Sequence, residues 1–347
     1  QLYRMGQADR MVVDRTLTTR AAAEVFGELL RDPAPGRWIY DPLESLAVLV
    51  HPHPLYFERW FEVALERKEL DGRRALEIAD LWKRHKFLTT QELGGRLLAL
   101  RWILESPASA LPQEASLQRQ ALLTQFPEYD KLSQHAAGIR TELGQMPIIA
   151  TDPDQAKQQA AKLAELEKVS RDQEIMLKVM AVRRLPSEIV FPPIRTVEEV
   201  QKALPQGHAL LAFFTGTRST FGFLMTDEKF GYWPITAPGD VQKKLVAVLQ
   251  GIGNFEENKS LTLTDLQTTA WQESSRELLD MLTKDSKASL PYGFQELVIV
   301  PDGMLWYVPF ETLYASPQGG PARPLLEQVR IRYAPTMSLA VGDKLPR

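Results

Sequence analysis

The chain has 347 residues, 24% charged and 44% hydrophobic, with 41 Lys and Arg against 44 Asp and Glu and a formal net charge of -3. That length carries more than one domain with a core of its own, and the near balance of charge, which holds in both halves, excludes a strongly basic nucleic-acid binder. Cysteine is absent, which excludes disulfides, thiolate metal sites and a cysteine nucleophile from this polypeptide, and apolar runs such as Leu46 to Val50 and Ala209 to Phe214 fall far short of the ~20 residues a bilayer crossing needs.

Gln1 to Arg10 is polar and has no signal-peptide pattern. Gln1 in place of an initiator methionine and the end at Arg347 read as a piece cut from a longer protein. From Thr16 to about Arg184 the pattern is helical. Phe57, Trp60, Phe61 and Ala64 stand at i, i+3, i+4 and i+7, and Ala75, Ile78, Ala79 and Trp82 repeat the spacing after Asp71-Gly72. Two antiparallel helices meeting through Trp60, Phe61 and Trp82 are expected. Further helical faces run through Ala21 to Leu30, Leu93 to Leu104 and Ala156 to Val182, the last with a stripe of Leu163, Leu166, Val169, Met176 and Met180. Loops are read at Asp32 to Gly36, Ser106 to Pro112 and Thr151 to Asp154.

Leu185-Pro186 and Phe191-Pro-Pro193 stop the helical pattern, so the chain divides into a helical domain over residues 1–188 and a second domain over 190–347. The second opens with an apolar run at Ala209 to Phe214, an alternating strand through Phe221, Phe223 and Met225, and a third strand at Lys229 to Ile235, together a meander. Helices are expected from Pro238 through Val248 and from Thr264 to Leu282. Leu297-Val-Ile-Val300 reads as a strand buried on both faces. Pro301-Asp302-Gly303 reads as a turn returning Met304 to Val308 as a hairpin partner, and Val329 to Tyr333 as a last strand.

The candidate chemistry is thin. His51 and His53 stand at i, i+2 in a proline-rigid loop, a helix boundary and not a metal pair; His85 and His135 read as solvent-facing, and His208 as a turn residue. Gly251-Ile-Gly253 ends a helix where a phosphate loop would open one. Glu198-Glu199 and Glu256-Glu257 are adjacent pairs, read as surface charge. No catalytic residue, cofactor site or metal site is therefore assigned within this chain, and no cofactor is expected.

The run Leu297-Val-Ile-Val-Pro-Asp-Gly-Met-Leu-Trp-Tyr-Val-Pro-Phe-Glu-Thr-Leu313, followed by Ile331-Arg-Tyr-Ala-Pro-Thr-Met-Ser338, resembles the opening of a CHAT domain. That family comprises caspase-like cysteine peptidases, related to separases and fused to tetratricopeptide repeats. Ala203 to Phe213 resembles the segment leading into the family's first small sheet, and Ala75-Leu-Glu-Ile-Ala-Asp80 the second helix of its repeats. The resemblance spans Phe191 to Ser338 and is looser over residues 16–184, where repeat-like helical hairpins are read and no full 34-residue repeat is counted.

The resemblance implies an α+β architecture: repeat-like helical hairpins followed by the front part of a caspase-like α/β domain. Pro301, Asp302, Gly303, Trp306, Pro309, Phe310 and Glu311 match motif positions with a structural role. The family's dyad, a histidine followed by glycine and a cysteine after the next strand, has no counterpart: the five histidines precede Pro, Pro, Lys, Ala and Ala. Two functions are compatible with this. One is a sensing region plus the non-catalytic front of a cytoplasmic cysteine endopeptidase, with its dyad on sequence beyond Arg347. The other is a pseudoprotease acting as an interaction module. Either implies a protein or peptide partner on the helical half, without nucleic acid or membrane.

Overall fold

The structure is a computed structural model describing residues 12–30, 53–67, 72–111, 113–182, 194–253, 262, 268–286, 290, 293–316 and 320–341. The linker at 185–193, the loop at 32–36, His51, the run at 46–50 and Glu256-Glu257 lie outside them. The chain packs as two compact units, one of residues 1–31, 53–85 and 193–343, the other of 32–52, 86–192 and 344–347. Residues 53–85, read from sequence as part of the helical domain over 1–188, group here with residues 193–343. The helical pattern continues past residue 85, but residues 53–85 bury their apolar face against the α/β part.

The first unit contains α1 (Val12–Leu29), α2 (Pro54–Arg67) and α3 (Arg73–Thr89), the last belonging to it as far as His85. After α8 (Val197–Ala203) come β1 (His208–Thr215), β2 (Thr220–Met225) and β3 (Phe230–Pro234), the expected antiparallel meander. The helices α9 (Pro238–Gly251) and α10 (Ala270–Thr283) lead to β4 (Glu296–Val300), the short pair β5 (Tyr314–Ala315) and β6 (Arg323–Pro324), β7 (Arg330–Tyr333) and α11 (Met337–Ala340). The main sheet has the order β3-β2-β1-β4-β7, with β4 parallel to both β1 and β7.

Both edges of β4 are thus taken, which leaves no place for Met304 to Val308 as a hairpin partner. Gly303–Tyr307 coils into a 3-10 turn instead. Every residue of β4 is buried, as two-sided burial of an apolar strand requires. Alternate side chains supply two cores. Leu210, Ala212, Phe214, Val298 and Val300 meet Phe57, Trp60, Phe61, Ile78 and Trp82 of α2 and α3. On the other face Leu211, Phe213, Leu297 and Ile299 meet Val241, Leu245 and Val248 of α9 and Leu278 and Leu282 of α10. Phe61 stacks on Phe214 with ring centroids 3.9 Å apart. The hairpin α2–α3 is therefore one of the sheet's two covering layers.

Thr196 caps α8 through a reciprocal box with Glu199, which gives that member of Glu198-Glu199 a defined structural role. Gly72 has φ +79°, and a Cβ there would meet the Tyr232 ring at 2.3 Å, so the α2–α3 connection passes directly against β3.

The second unit holds α4 (Arg96–Glu105), α5 (Gln113–Gln125), α6 (Pro127–Gln145) and α7 (Pro153–Val182). Gln173 to Ser133, His135 to Glu165 and Lys162 to Glu142 contacts make α6 and α7 an antiparallel pair. Leu97, Leu100, Ile103, Leu122, Tyr129, Leu177 and Met180 form the main core, and Ala136, Ile139 and Val169 a satellite. Of the stripe expected on α7, Val169 and Met180 are buried, whereas Leu163 is exposed. Arg96 is fully buried, its Nε donating to the Ala181 carbonyl at 2.7 Å, and burial lowers its pKa to about 9. Among the described residues no helix is long and apolar enough to cross a membrane.

Candidate functional site

The motif residues gather where β1, β4 and β7 end at their carboxyl termini, the side of a parallel sheet on which open α/β folds place ligands. Asp302, buried as the chain leaves β4, accepts the Thr215 N–H through Oδ2 at 2.8 Å, and its carbonyl accepts the Thr215 hydroxyl at 3.3 Å. The carboxylate thereby ties the end of β4 to the end of β1. Gly303 follows at φ +55°, a conformation in which a side chain is strained. Leu305 is buried in the turn, while Trp306 and Tyr307 are 49% and 72% exposed.

Pro309 precedes a second 3-10 turn, Phe310–Thr312. Phe310 is fully buried, 5.8 Å from the Phe213 ring and 6.3 Å from that of Tyr333. Glu311 Oε2 accepts the Tyr333 hydroxyl at 2.8 Å, and burial together with that carboxylate pushes the Tyr333 pKa up. Pro301, Asp302, Gly303, Pro309, Phe310 and Glu311 are thus drawn into one region, with Trp306 standing at its exposed margin.

Side chains from α2 and α3 reach the same unit in contacts that sequence reasoning missed. Lys83 Nζ donates to the Val300 carbonyl at 3.0 Å. Asp80 accepts the backbone N–H groups of Met337 and Ser338, the latter at 3.2 Å, and the Ser338 hydroxyl at 2.8 Å. Desolvation raises the Asp80 pKa, with these donors and Lys83 working against it. Glu58 Oε1 accepts both the N–H and the hydroxyl of Thr217 at 2.7 Å, holding the β1–β2 turn. A signal was present: Asp80 and Lys83 sit beside Ala75, Ile78, Ala79 and Trp82 on a short helical stretch, and polar groups beside an apolar stripe are buried only with partners.

At the opposite end of the parallel strands, Glu296 receives Arg332 Nε at 3.0 Å and also pairs with Arg330, while His208 Nδ1 lies 3.5 Å away. Burial opposes the charge of Glu296, but the two guanidiniums hold its pKa below the usual value. His208 is therefore the first residue of β1 and not a turn residue. His85, expected to face solvent, is half-buried, stacked on His53 at 5.7 Å with the Phe57 ring tilted against it at 5.4 Å, because the end of α3 folds back on the start of α2. His135 is exposed, with Nε2 3.0 Å from Glu165.

The arrangement holds strands and turns in place. Asp80 and Asp302 accept backbone donors, no thiol exists in the chain, and among the described residues no group of three or more His, Asp or Glu is placed to hold a metal ion. No curated protein matches the chain. Residues 262–345 match the CHAT domain family. The match takes in α10, β4, the motif turns, β7 and α11; β1 to β3, which the resemblance included, precede it. The segment that builds the ends of β4 and β7 is thus similar to the CHAT domain family, a region related to caspase-like peptidases.

Proposed function

We propose that the chain contributes the sensing region and the non-catalytic front of a caspase-like cysteine endopeptidase, the helical part receiving a protein or peptide partner that controls the protease. The carrying observation is the family match over residues 262–345, coupled with the position of β7 at the sheet edge. Among the described residues β7 pairs on one side alone, with β4, so a further parallel strand fits beside it. A caspase-like reaction needs a thiolate, and with zero cysteines that group has to come from residues other than these 347.

Two measurements test the reading. The purified chain is expected to hydrolyse no fluorogenic peptide, and turnover insensitive to thiol alkylation would mean an unrelated mechanism. The natural sequence after Arg347 is expected to carry a His-Gly pair and a cysteine at the ends of successive buried strands. A continuation lacking either would favour the pseudoprotease reading, for which the absence of cysteine is the supporting observation.

A further inference from the structure

Among the described residues the chain passes from the first unit to the second inside α3 alone. The first unit's share ends at His85, the second's resumes at Lys86, and the helix runs on without a break to Thr89. Arg73 to Thr89 contains no glycine or proline, so nothing in the sequence marks a bend at the crossing. From Asp80 to Thr89 such a helix rises about 14 Å at 1.5 Å per residue.

Both ends of this stretch are fastened. Asp80 and Lys83, three positions apart on one face of α3 and both buried, hold the N–H groups of Met337 and Ser338 just beyond β7 and the carbonyl of Val300, the last residue of β4. A buried charge is tolerated only with its partners in place. Each grip therefore moves with the helix or breaks. Within the seven positions after Thr89, Glu92 pairs with Lys178 of α7 at 2.7 Å, and the buried Arg96 donates to the Ala181 carbonyl of the same helix at 2.7 Å.

We propose that α3 is a lever: a shift of α7, such as a partner on the helical part would impose, is carried through Glu92 and Arg96 into α3 and by Asp80 and Lys83 into the carboxyl ends of β7 and β4. A packed helix held at both ends has no slack in which to absorb the shift. The inference rests on the reading above in which the helical part controls the protease, and it names the route of that control.

The test is amide hydrogen exchange of the full chain, measured at Met337 and Ser338, whose N–H groups Asp80 holds. Leu177→Ala loosens α7 by opening a cavity in the second unit's core, where Leu177 is fully buried. Exchange at Met337 and Ser338 is expected to rise about tenfold, inside the roughly 5- to 150-fold range of coupled sites. The amides of α9, on the sheet's other face, should keep their rate. Adding Lys86→Gly/Phe87→Gly, which puts a flexible pivot into the last turn of α3, should return Met337 and Ser338 to near wild-type exchange. Lys178→Glu, which sets like charge against Glu92 without touching a core, should move the same two amides in the same direction, and it decides the matter where Leu177→Ala unfolds the second unit outright. Unchanged exchange at Met337 and Ser338 beside accelerated α7 amides, an equal rise throughout the first unit, or a rise that survives the glycine pair overturns the inference. Those outcomes leave the protease-front reading standing, since that is judged on thiol dependence and on the sequence after Arg347.

Discussion

Truncating Phe61 tests whether α2 and α3 are part of the sheet's own core. Phe61 is 1% exposed, stacks on Phe214 of β1 at 3.9 Å, and presents edges to Phe221 and Phe223 of β2 at 5.2 and 6.2 Å. Phe61→Ala removes that packing and leaves a cavity between helix and sheet, at a cost of about 3–5 kcal/mol. Of this, about 0.5–1.5 kcal/mol belongs to the aromatic pairing beyond simple burial. The readout is amide hydrogen exchange along Leu210 to Phe214, whose ladder to β2 and β4 opens when the unit opens. At one decade per 1.36 kcal/mol, those amides should exchange about 10²- to 10⁴-fold faster in the variant. An independent hairpin would behave otherwise, with faster exchange confined to Pro54–Arg67 and Arg73–Thr89. Unchanged β1 amides beside accelerated α2 and α3 amides would refute the packing argument.

The other predictions concern charge and backbone. Asp80→Ala orphans the buried donors of Met337 and Ser338 and should lower stability by about 3–5 kcal/mol in thermal or denaturant unfolding, because a broken buried charge contact costs the desolvation of what remains. Since burial raises the Asp80 pKa above 3.8, the folded state binds its proton more readily; wild type should gain stability relative to Asp80→Asn as pH falls from neutral toward that value, and a gain as pH rises would contradict the sign. Glu296 runs the opposite way: its lowered pKa stabilises above 4.5 and is lost on acidification through the folded value, so Glu296→Gln should flatten that acid limb. Gly72→Ala combines φ +79° with a collision against Tyr232 and should cost about 2 kcal/mol or more; the added variant Tyr232→Ala relieves the collision and leaves the backbone strain, and no relief would place the whole effect in the backbone.

Local pattern made much of the first unit legible. The meander at β1 to β3, the helices at 57–64 and 75–82 and the buried strand at Leu297 to Val300 each write their burial into a few neighbouring residues. A periodic face states that it is buried and is silent on what covers it. That is why Phe61 and Trp82 read as a helix–helix contact, while their place in the sheet's core, and the reach of Asp80 and Lys83 to residues more than 200 positions away, did not show. The turn after β4 failed for a related reason. Pro301-Asp302-Gly303 has hairpin chemistry, but β1 and β7 already occupy both edges of β4, and pairing partners distant in sequence override a local turn preference. His85 shows the limit in one residue: its neighbours Lys83 and Arg84 looked like an exposed helix end, yet both are buried.

The same distinction bears on what the α/β part still needs. From sequence, Leu297 to Val300 reads as a strand buried on both faces, and two buried faces need layers to cover them. In the structure the faces are satisfied by helices, α2 and α3 on one side and α9 and α10 on the other. What stands open among the described residues is the outer edge of β7, where Arg330 and Arg332 are exposed and Ile331 and Tyr333 half-buried. An open edge guarded by exposed arginines is a weaker demand than an uncovered face, because charged side chains are a common way to keep an edge from pairing at random. Any further strand is therefore called for by one edge alone, since both faces are covered. The weight of the protease-front proposal accordingly shifts onto the family match and onto Glu311 and Tyr333, whose hydrogen bond fixes the carboxyl end of the one strand beside which another would have to add.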